Sequence, residues 1–183
     1  MNKTRLEAFS DGVIAIIITI MVLELRAPHG HGLADLNAVW PVLLRYLLSF
    51  IYVGIYWVNH HALFQRAERI DGAVLWANLH LLFWLSLIPF VTAWAGEYPM
   101  ESAPVALYGA VLMMSSISFM LLARELALTQ PACHDAAIHR KNRLSLALYG
   151  AAIALSLWYA PAGSLLHVLI ALLWLKPGGA LRA

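Results

Sequence analysis

Long apolar segments alternate with short polar ones along this chain of 183 residues. A helix that spans a membrane needs about 20 mostly apolar residues, and six segments reach or approach that length. This pattern predicts an all-α membrane protein in which residues 1–183 form a single domain of six transmembrane helices. The six predicted helices are Leu6–Leu25, Val39–Phe64, Ala73–Ala95, Ala103–Ala127, Leu144–Ala160 and Gly163–Leu175.

The segments between the apolar runs contain the residues that interrupt helices. Arg26–Asn37 and Glu97–Pro104 are each rich in proline or glycine and are predicted to be loops. The last two apolar segments are short, and Pro161 with Gly163 predicts a tight turn between them. The first apolar run lacks a small-residue cleavage site after it, so we expect it to be a retained membrane span.

Composition supports the membrane class. Hydrophobic residues make up 62% of the chain and charged residues 12%, whereas a soluble domain has about half apolar and a quarter charged residues. The net charge of +2 is too small and too dispersed to indicate nucleic-acid binding. Cys133 is the only cysteine, which excludes a disulfide within the chain.

The distribution of basic residues predicts the orientation of the helices. With a cytoplasmic N-terminus, ten basic residues lie inside and only Arg26 and Arg45 lie outside. Because cytoplasmic loops are enriched in lysine and arginine, we predict that both termini are cytoplasmic. The ten inside residues are Lys3, Arg5, Arg66, Arg69, Arg124, Arg140, Lys141, Arg143, Lys176 and Arg182.

A layer of polar side chains is predicted in the cytoplasmic half of the first three helices. A carboxylate within a membrane helix costs roughly 3 kcal/mol, so Asp11 requires an internal partner or a function. The layer is either a hydrogen-bonded link between helices or a proton or ion relay, and both interpretations remain open here. Its members are Ser10, Asp11, His60, His61, Asn78 and His80.

No metal site is expected in this layer. Neighbouring residues on a helix point about 100° apart, so His60 and His61 do not readily chelate one ion. A zinc site requires ligands one helical turn apart or ligands from other helices. We therefore expect no metal and no cofactor.

The first helix has two distinct faces when its residues are placed about 100° apart. One face carries the large apolar residues Phe9, Val13, Ile16, Ile20 and Leu23. A neighbouring stripe carries the small residues Ala8, Gly12, Ala15 and Thr19, a pattern typical of close packing between membrane helices. The large face can contact lipid, a protein core or a pore, and periodicity alone does not decide between them.

Two groups of residues resemble the motifs of a known family. Both groups lie between residues 5 and 92, and the remainder of the chain resembles the family mainly in hydropathy. The family is that of the endosomal and lysosomal potassium channel transmembrane protein 175, in particular its bacterial members. The matching motifs are Arg5-x-x-x-Phe9-Ser10-Asp11-Gly12-Val13-x-Ala15-Ile16-x-x-Thr19, then Trp57-x-x-His60-His61-x-x-Phe64, Asp71, Leu75-Trp76-x-Asn78-Leu79 and Leu87-x-Pro89-Phe90-x-Thr92.

This resemblance implies a weakly selective potassium channel without a carbonyl-lined filter loop. Bacterial members have one six-helix repeat and assemble as homotetramers, so the implied partners are three further copies of the chain, membrane lipid and permeant potassium ions. No nucleic acid is expected to bind. The implied location is the bacterial cytoplasmic (inner) membrane, crossed several times.

The resemblance also assigns roles to individual residues. Ile16 matches the isoleucine at the pore constriction, Ile20 and Leu23 match pore-lining positions, and Thr19 matches a threonine associated with selectivity. Glu24 is expected near the outer entrance, where a carboxylate raises the local cation concentration. The residues that match the family's structural polar network are Arg5, Ser10, Asp11, His60, His61 and Asn78.

Three other functions compete with a potassium channel. A proton-conducting channel or relay through Asp11 and the histidines is chemically possible because histidine titrates near neutral pH. A membrane enzyme is disfavoured because the chain shows no nucleophile–base set, and we predict that the protein is not an enzyme. A structural assembly factor would need no conduction at all.

Overall fold

The computed structural model describes residues 2–28 and 30–175 of the chain. The described residues form α-helices, joined in two places by short 3-10 turns at Leu33–Asp35 and Pro131–Cys133. The fold is therefore all-α, as predicted. The helices are α1 Lys3–Leu23, α2 Leu36–Gln65, α3 Gly72–Ser86, α4 Ile88–Glu97, α5 Ser102–Thr129, α6 Ala136–Trp158 and α7 Ala160–Leu175.

Polar residues cap the start of three of these helices. The side chain of Asn2 accepts a hydrogen bond from the Thr4 amide at the start of α1, and Asp71 does the same for α3. Asp135 accepts bonds from two amides at the start of α6. Each cap satisfies a backbone amide that has no partner within its own helix.

The third predicted span is broken near its middle. The helix ends at Ser86 and starts again at Ile88, and the Leu87 amide bonds to the carbonyls of Leu85 and Trp84. Pro89 explains the break because its ring lacks an amide hydrogen and collides with the carbonyl four residues earlier. The predicted continuous helix over Ala73–Ala95 is therefore two helices, α3 and α4, which together make one crossing.

Counting α3 and α4 together, the described chain contains six helical crossings of the bundle. Four of them are long and apolar enough to span a membrane, namely α1, α2 with its preceding turn, α3–α4 and α5. The α6 helix starts at Ala136 rather than at the predicted Leu144, and its first two turns carry basic residues that lower its hydropathy. The α7 helix is apolar, but its 16 residues are fewer than the roughly 20 that a membrane-spanning helix needs.

The predicted turn between the last two helices lies earlier than expected. Tyr159 alone separates α6 from α7, and its backbone is extended. Pro161 and Gly163 belong to the first turn of α7 instead, where proline is tolerated because that amide needs no helical partner. A side chain on Gly163 would approach the Ala152 carbonyl of α6 to within 2.8 Å. The two helices therefore pack closely at this glycine.

The core of the bundle forms around α5, which packs against α3, α4, α6 and α7. Tyrosines of α2 extend into this core and satisfy backbone carbonyls of other helices. The Tyr52 hydroxyl donates to the His167 carbonyl at 2.5 Å, and the Tyr56 hydroxyl donates to the Leu112 carbonyl at 3.3 Å. These bonds attach α2 to α7 and α5 at buried positions.

We expect Gly163→Ala to destabilise the protein by about 1–3 kcal/mol, because the added methyl group overpacks the α6–α7 contact. Gly150→Ala is the matched control, since Gly150 lies inside α6 with open space around it. That change replaces a flexible residue by a good helix former and should not destabilise the protein. Thermal unfolding in detergent measures the stability of both variants. Equal melting temperatures for the two variants would contradict the close packing.

Candidate functional site

The first helix has one side packed against the bundle and one side exposed. Its packed side contacts α2, α3 and α4. Residues on this side are spaced three or four apart, which places them along one face of a helix. They are Leu6, Ser10, Ile14, Ile17 and Met21, all buried. The other side of α1 is mostly exposed within the described part of the subunit.

The exposed side of α1 carries large apolar residues. Ile16 is 58% exposed and Leu23 is 79% exposed, and Phe9 and Ile20 are also exposed. Val13, which sequence periodicity places on the same face, is only partly exposed because it packs against the core. A long apolar surface of this kind on one helix indicates contact with lipid, with another subunit or with a water-filled pore.

The small residues lie on the same exposed side. Ala8, Gly12, Ala15 and Thr19 are all exposed within the subunit, and a side chain added at Gly12 would meet no atom within 4 Å. The Thr19 hydroxyl donates a hydrogen bond to the Ile16 carbonyl one turn earlier, at 2.8 Å. Its oxygen keeps its lone pairs and remains available to a ligand or a neighbouring chain.

Three of the predicted polar residues form a continuous hydrogen-bonded chain, which we call the buried triad: Ser10, Asn78 and His60. The Asn78 amide donates to the Ser10 hydroxyl at 3.0 Å, and the Asn78 carbonyl oxygen lies 2.8 Å from His60 Nε2. The Ser10 hydroxyl in turn donates to the Leu6 carbonyl at 2.9 Å. All three side chains are buried, so the triad connects α1, α3 and α2 inside the bundle.

Asp11 and His61 lie apart from the buried triad, at the surface of the subunit. Asp11 Oδ1 accepts a hydrogen bond from Trp57 Nε1 at 3.0 Å. The Trp57 ring stacks on His61 at a centroid distance of 5.9 Å, and His61 bonds to Gln65 at 2.9 Å. We call this second set the surface cluster. It joins α1 to α2 on the exposed side of α1.

The single predicted layer is therefore two separate sets. Two further predicted residues belong to neither set, namely His80 of the layer and Arg5 of the polar network that the family resemblance implied. Arg5 is exposed, and its side chain makes no ion pair with another described residue. His80 accepts a bond from Trp84 within α3, at 3.0 Å. Trp57 is the member that the layer argument missed, although it lies one helical turn before His61, and such a pair contacts on a helix surface.

A further buried polar cluster lies toward the opposite end of α2. Arg45 is buried, although the sequence pattern placed it among the outer basic residues. Its Nη2 donates to the Ser164 hydroxyl at 2.9 Å, and its guanidinium lies 4.9 Å from the centre of the Tyr108 ring. Ser49 bonds to Tyr108 at 3.0 Å and accepts from Thr92 at 2.7 Å.

This cluster had a signal in the sequence. Arg45, Ser49, Tyr52 and Tyr56 are spaced four, three and four residues apart, which places them on one face of a helix. That spacing in an apolar segment indicates a polar face turned inward toward the bundle. The position of Arg45 near the start of α2 favoured the outer side instead, because an arginine near a helix end is ordinarily solvated.

Acidic residues gather where α1 ends. Glu24 caps α1, and together with Asp35 and Glu97 it lines an open cavity of about 410 Å³. Arg26 also lines this cavity, so the cavity wall carries charges of both signs. Among residues 2–28 and 30–175, no three histidine, cysteine or acidic side chains come together as a metal site.

The chain shows clear similarity to known channels. The family model of the endosomal/lysosomal potassium channel TMEM175 matches residues 5–89. A potassium channel of Chryseobacterium sp. (strain P1-3) is 49% identical over 181 residues, which are 97% of this chain and 94% of that protein. The human endosomal/lysosomal proton channel TMEM175 is 30% identical over 133 residues, covering 64% of this chain and 26% of the human protein.

The fold agrees with a solved structure of the same family. The crystal structure of a lysosomal potassium-selective channel TMEM175 homolog from Chamaesiphon minutus superposes with a TM-score of 0.85 at 31% identity. The alignment covers 94% of this chain and 96% of that chain. The family resemblance predicted from the sequence motifs is thus confirmed. With this agreement in sequence and in fold, the chain belongs to the TMEM175 potassium channel family, whose members are ion channels and not enzymes.

Proposed function

We propose that four copies of this chain assemble into a potassium-permeable, weakly selective cation channel whose central pore is lined by α1 of each subunit. The observation that carries this proposal is the exposed side of α1. It is a surface of large and small apolar residues on a helix whose other side is fully packed. The names of the Chryseobacterium and Chamaesiphon relatives support potassium as the permeant ion.

In this proposal Ile16 forms the constriction. Four copies of an exposed isoleucine around one axis make an apolar ring, which water wets reluctantly and ions cross rarely. Ile20 and Leu23 line the pore one and two turns further along α1. Thr19 lies beside this face, and its hydroxyl oxygen contributes to selectivity. No cofactor is required besides the permeant potassium ion.

We further propose that the N-terminus is cytoplasmic and that the cavity lined by Glu24 and Glu97 faces outward, in a bacterial cytoplasmic membrane. Arg66 and Arg69 of the α2–α3 connection, and the basic residues in the first two turns of α6, lie at the same end of the bundle as the start of α1, which supports this orientation. Arg26 and Arg45 are the two basic residues predicted on the outer side. Arg45 is buried, so Arg26 is the exposed one of the two. Lys176 and Arg182, counted as inside residues, lie outside the described residues.

The role we assign to the buried triad is structural. Each buried polar atom in a membrane helix has no water to bond with, so partners on other helices hold the helices in one arrangement. Ser10, Asn78 and His60 together hold α1 against α2 and α3. The triad thereby decides which side of α1 remains free for the pore.

Proton conduction is the second candidate function. The human relative is described as a proton channel, and the surface cluster brings a carboxylate and an imidazole together through Trp57 on the exposed side of α1. Asp11 and His61 are accessible there, whereas His60 is enclosed in the buried triad. A proton route would therefore use the surface cluster and not the buried triad.

The assembly can be tested at Gly12. Because nothing in the subunit lies within 4 Å of a side chain added there, we expect Gly12→Leu to leave the subunit folded and to weaken the tetramer. Native mass spectrometry in mild detergent measures the oligomer. Gly150→Leu, at an open and exposed position of α6, is the control that should remain tetrameric. A wild-type chain that is monomeric in the same detergent would refute the pore model.

The constriction can be tested at Ile16. We expect Ile16→Asn to hydrate the apolar ring and to raise potassium flux by about fivefold or more, the effect of roughly 1 kcal/mol off the barrier. Discrimination against sodium should fall at the same time. The control is Val22→Asn, which is also exposed on α1 but about 120° away from Ile16. Potassium and sodium flux into liposomes is measured for both variants at matched protein density. Equal effects of Ile16→Asn and Val22→Asn would mean that the pore face is wrongly assigned.

The two polar sets can be separated by Asn78→Ala and Asp11→Asn. Asn78→Ala leaves buried partners unsatisfied, so we expect a loss of about 1–3 kcal/mol of stability per group. Asp11→Asn keeps the shape of an exposed side chain and should leave both the melting temperature and potassium flux near wild type. If proton flux disappears in Asp11→Asn while potassium flux persists, the surface cluster is a proton route and the second function holds.

A further inference from the structure

Arg45 is a buried positive charge without a negative partner. It is 7% exposed and Nη1 makes no hydrogen bond to any described residue. Within the described chain the structure contains one ion pair, between Arg66 and Asp135, so no carboxylate neutralises Arg45. A guanidinium remains protonated in proteins, and an unpaired charge in a low-dielectric interior is costly. The residues that the structure describes therefore supply no anion at this position.

An apolar groove runs along the same residue. It has a volume of about 520 Å³ and lies between α2 and α7, where Arg45 and its partner Ser164 form part of its wall. Its remaining surface is almost entirely apolar and includes Trp40, Leu47 and Ile51 of α2. A groove of this volume is in the range that holds a small-molecule ligand.

The length of the groove is close to the thickness of one membrane leaflet. Along α2 it extends from Trp40 to Ile51, or about 16 Å, which is close to half of the roughly 30 Å hydrocarbon core of a bilayer. The 30 residues of α2 are about 45 Å long. If α2 is centred in the bilayer, Arg45 lies about 6 Å inside the hydrocarbon boundary, within reach of a headgroup drawn down by a long side chain.

We propose that this groove binds one anionic phospholipid per subunit, with an acyl chain along α2 and the phosphate at the Arg45 guanidinium. The phosphate supplies the missing negative charge to the arginine that forms part of the groove wall. The apolar wall supplies the contact for the acyl chain. The site is separate from the exposed side of α1 and does not depend on ion conduction.

A zwitterionic lipid, a neighbouring subunit and lipid at random are the competing occupants. A zwitterionic lipid carries its own positive charge beside the phosphate and gains less from Arg45. A neighbouring subunit would have to present a carboxylate in the groove. The proposal therefore predicts selectivity for negative headgroups, which none of the three alternatives produces.

The test uses the full-length chain reconstituted in vesicles of equal parts phosphatidylglycerol and phosphatidylcholine. After extraction in mild detergent, native mass spectrometry measures the lipids that remain bound. We expect wild type to retain phosphatidylglycerol in preference, up to one per subunit. Arg45→Gln should lower the ratio of the two bound lipids roughly fivefold, as expected from one basic residue near anionic lipid. Arg26→Gln is the control, an exposed arginine at the same end of the bundle.

A second variant tests the groove without touching the charge. Leu47 is 52% exposed and lines the groove, so Leu47→Trp should fold, fill the groove and reduce retention of both lipids. This variant decides the question if Arg45→Gln does not fold. Unchanged lipid ratios in Arg45→Gln, or unchanged retention in Leu47→Trp, would overturn the proposal. Disulfide-linked dimers of Leu44→Cys in membranes, without bound lipid, would show that a neighbouring subunit fills the groove.

Discussion

The fold depends on the requirement that buried polar groups find partners inside the protein. No water is available within a bilayer, so a polar side chain there must bond to another helix or remain unsatisfied. Ser10, Asn78 and His60 meet this requirement together, because each supplies a donor or an acceptor for the next. One short series of bonds thereby fixes three helices relative to one another, and the rest of the bundle packs around that arrangement.

The most important consequence concerns the first helix. With Ser10 held inside the bundle, the geometry of a helix leaves Gly12, Ile16 and Thr19 on the outside. The exposed side of α1 is thus determined by a bond made on its opposite side. The same 21-residue helix carries structural polar residues and the residues proposed for the pore. The two kinds of residue point in different directions around the helix axis.

Two buried polar clusters among the described residues are satisfied to different degrees. The buried triad contains no arginine, lysine or carboxylate, and each of its members is hydrogen-bonded to another member. The cluster around Arg45 carries a full charge and leaves Nη1 without a partner, although Ser164 and the Tyr108 ring stabilise part of the guanidinium. That difference explains why the first cluster is assigned a structural role and the second a ligand.

The class, the approximate helices and the family of this protein follow from its amino-acid sequence. Long apolar runs leave few alternatives to a helical membrane protein, and the motif from Arg5 to Thr19 is long enough to indicate a family. The glycine and proline residues before α2 also predicted the loop that precedes this helix. The break at Leu87, by contrast, follows from Pro89, whose effect the hydropathy pattern does not reveal.

Which polar residues meet depends on the three-dimensional packing of the helices. Depth along a helix follows from residue number, but direction around the axis depends on how each helix is rotated in the bundle. Ser10 and Asp11 are adjacent in the sequence, yet one joins the buried triad and the other bonds to Trp57 at the surface. Arg45 was likewise assigned to solvent by its position near a helix end. Its burial results from the packing of α2 against α5 and α7 residues far away in the sequence.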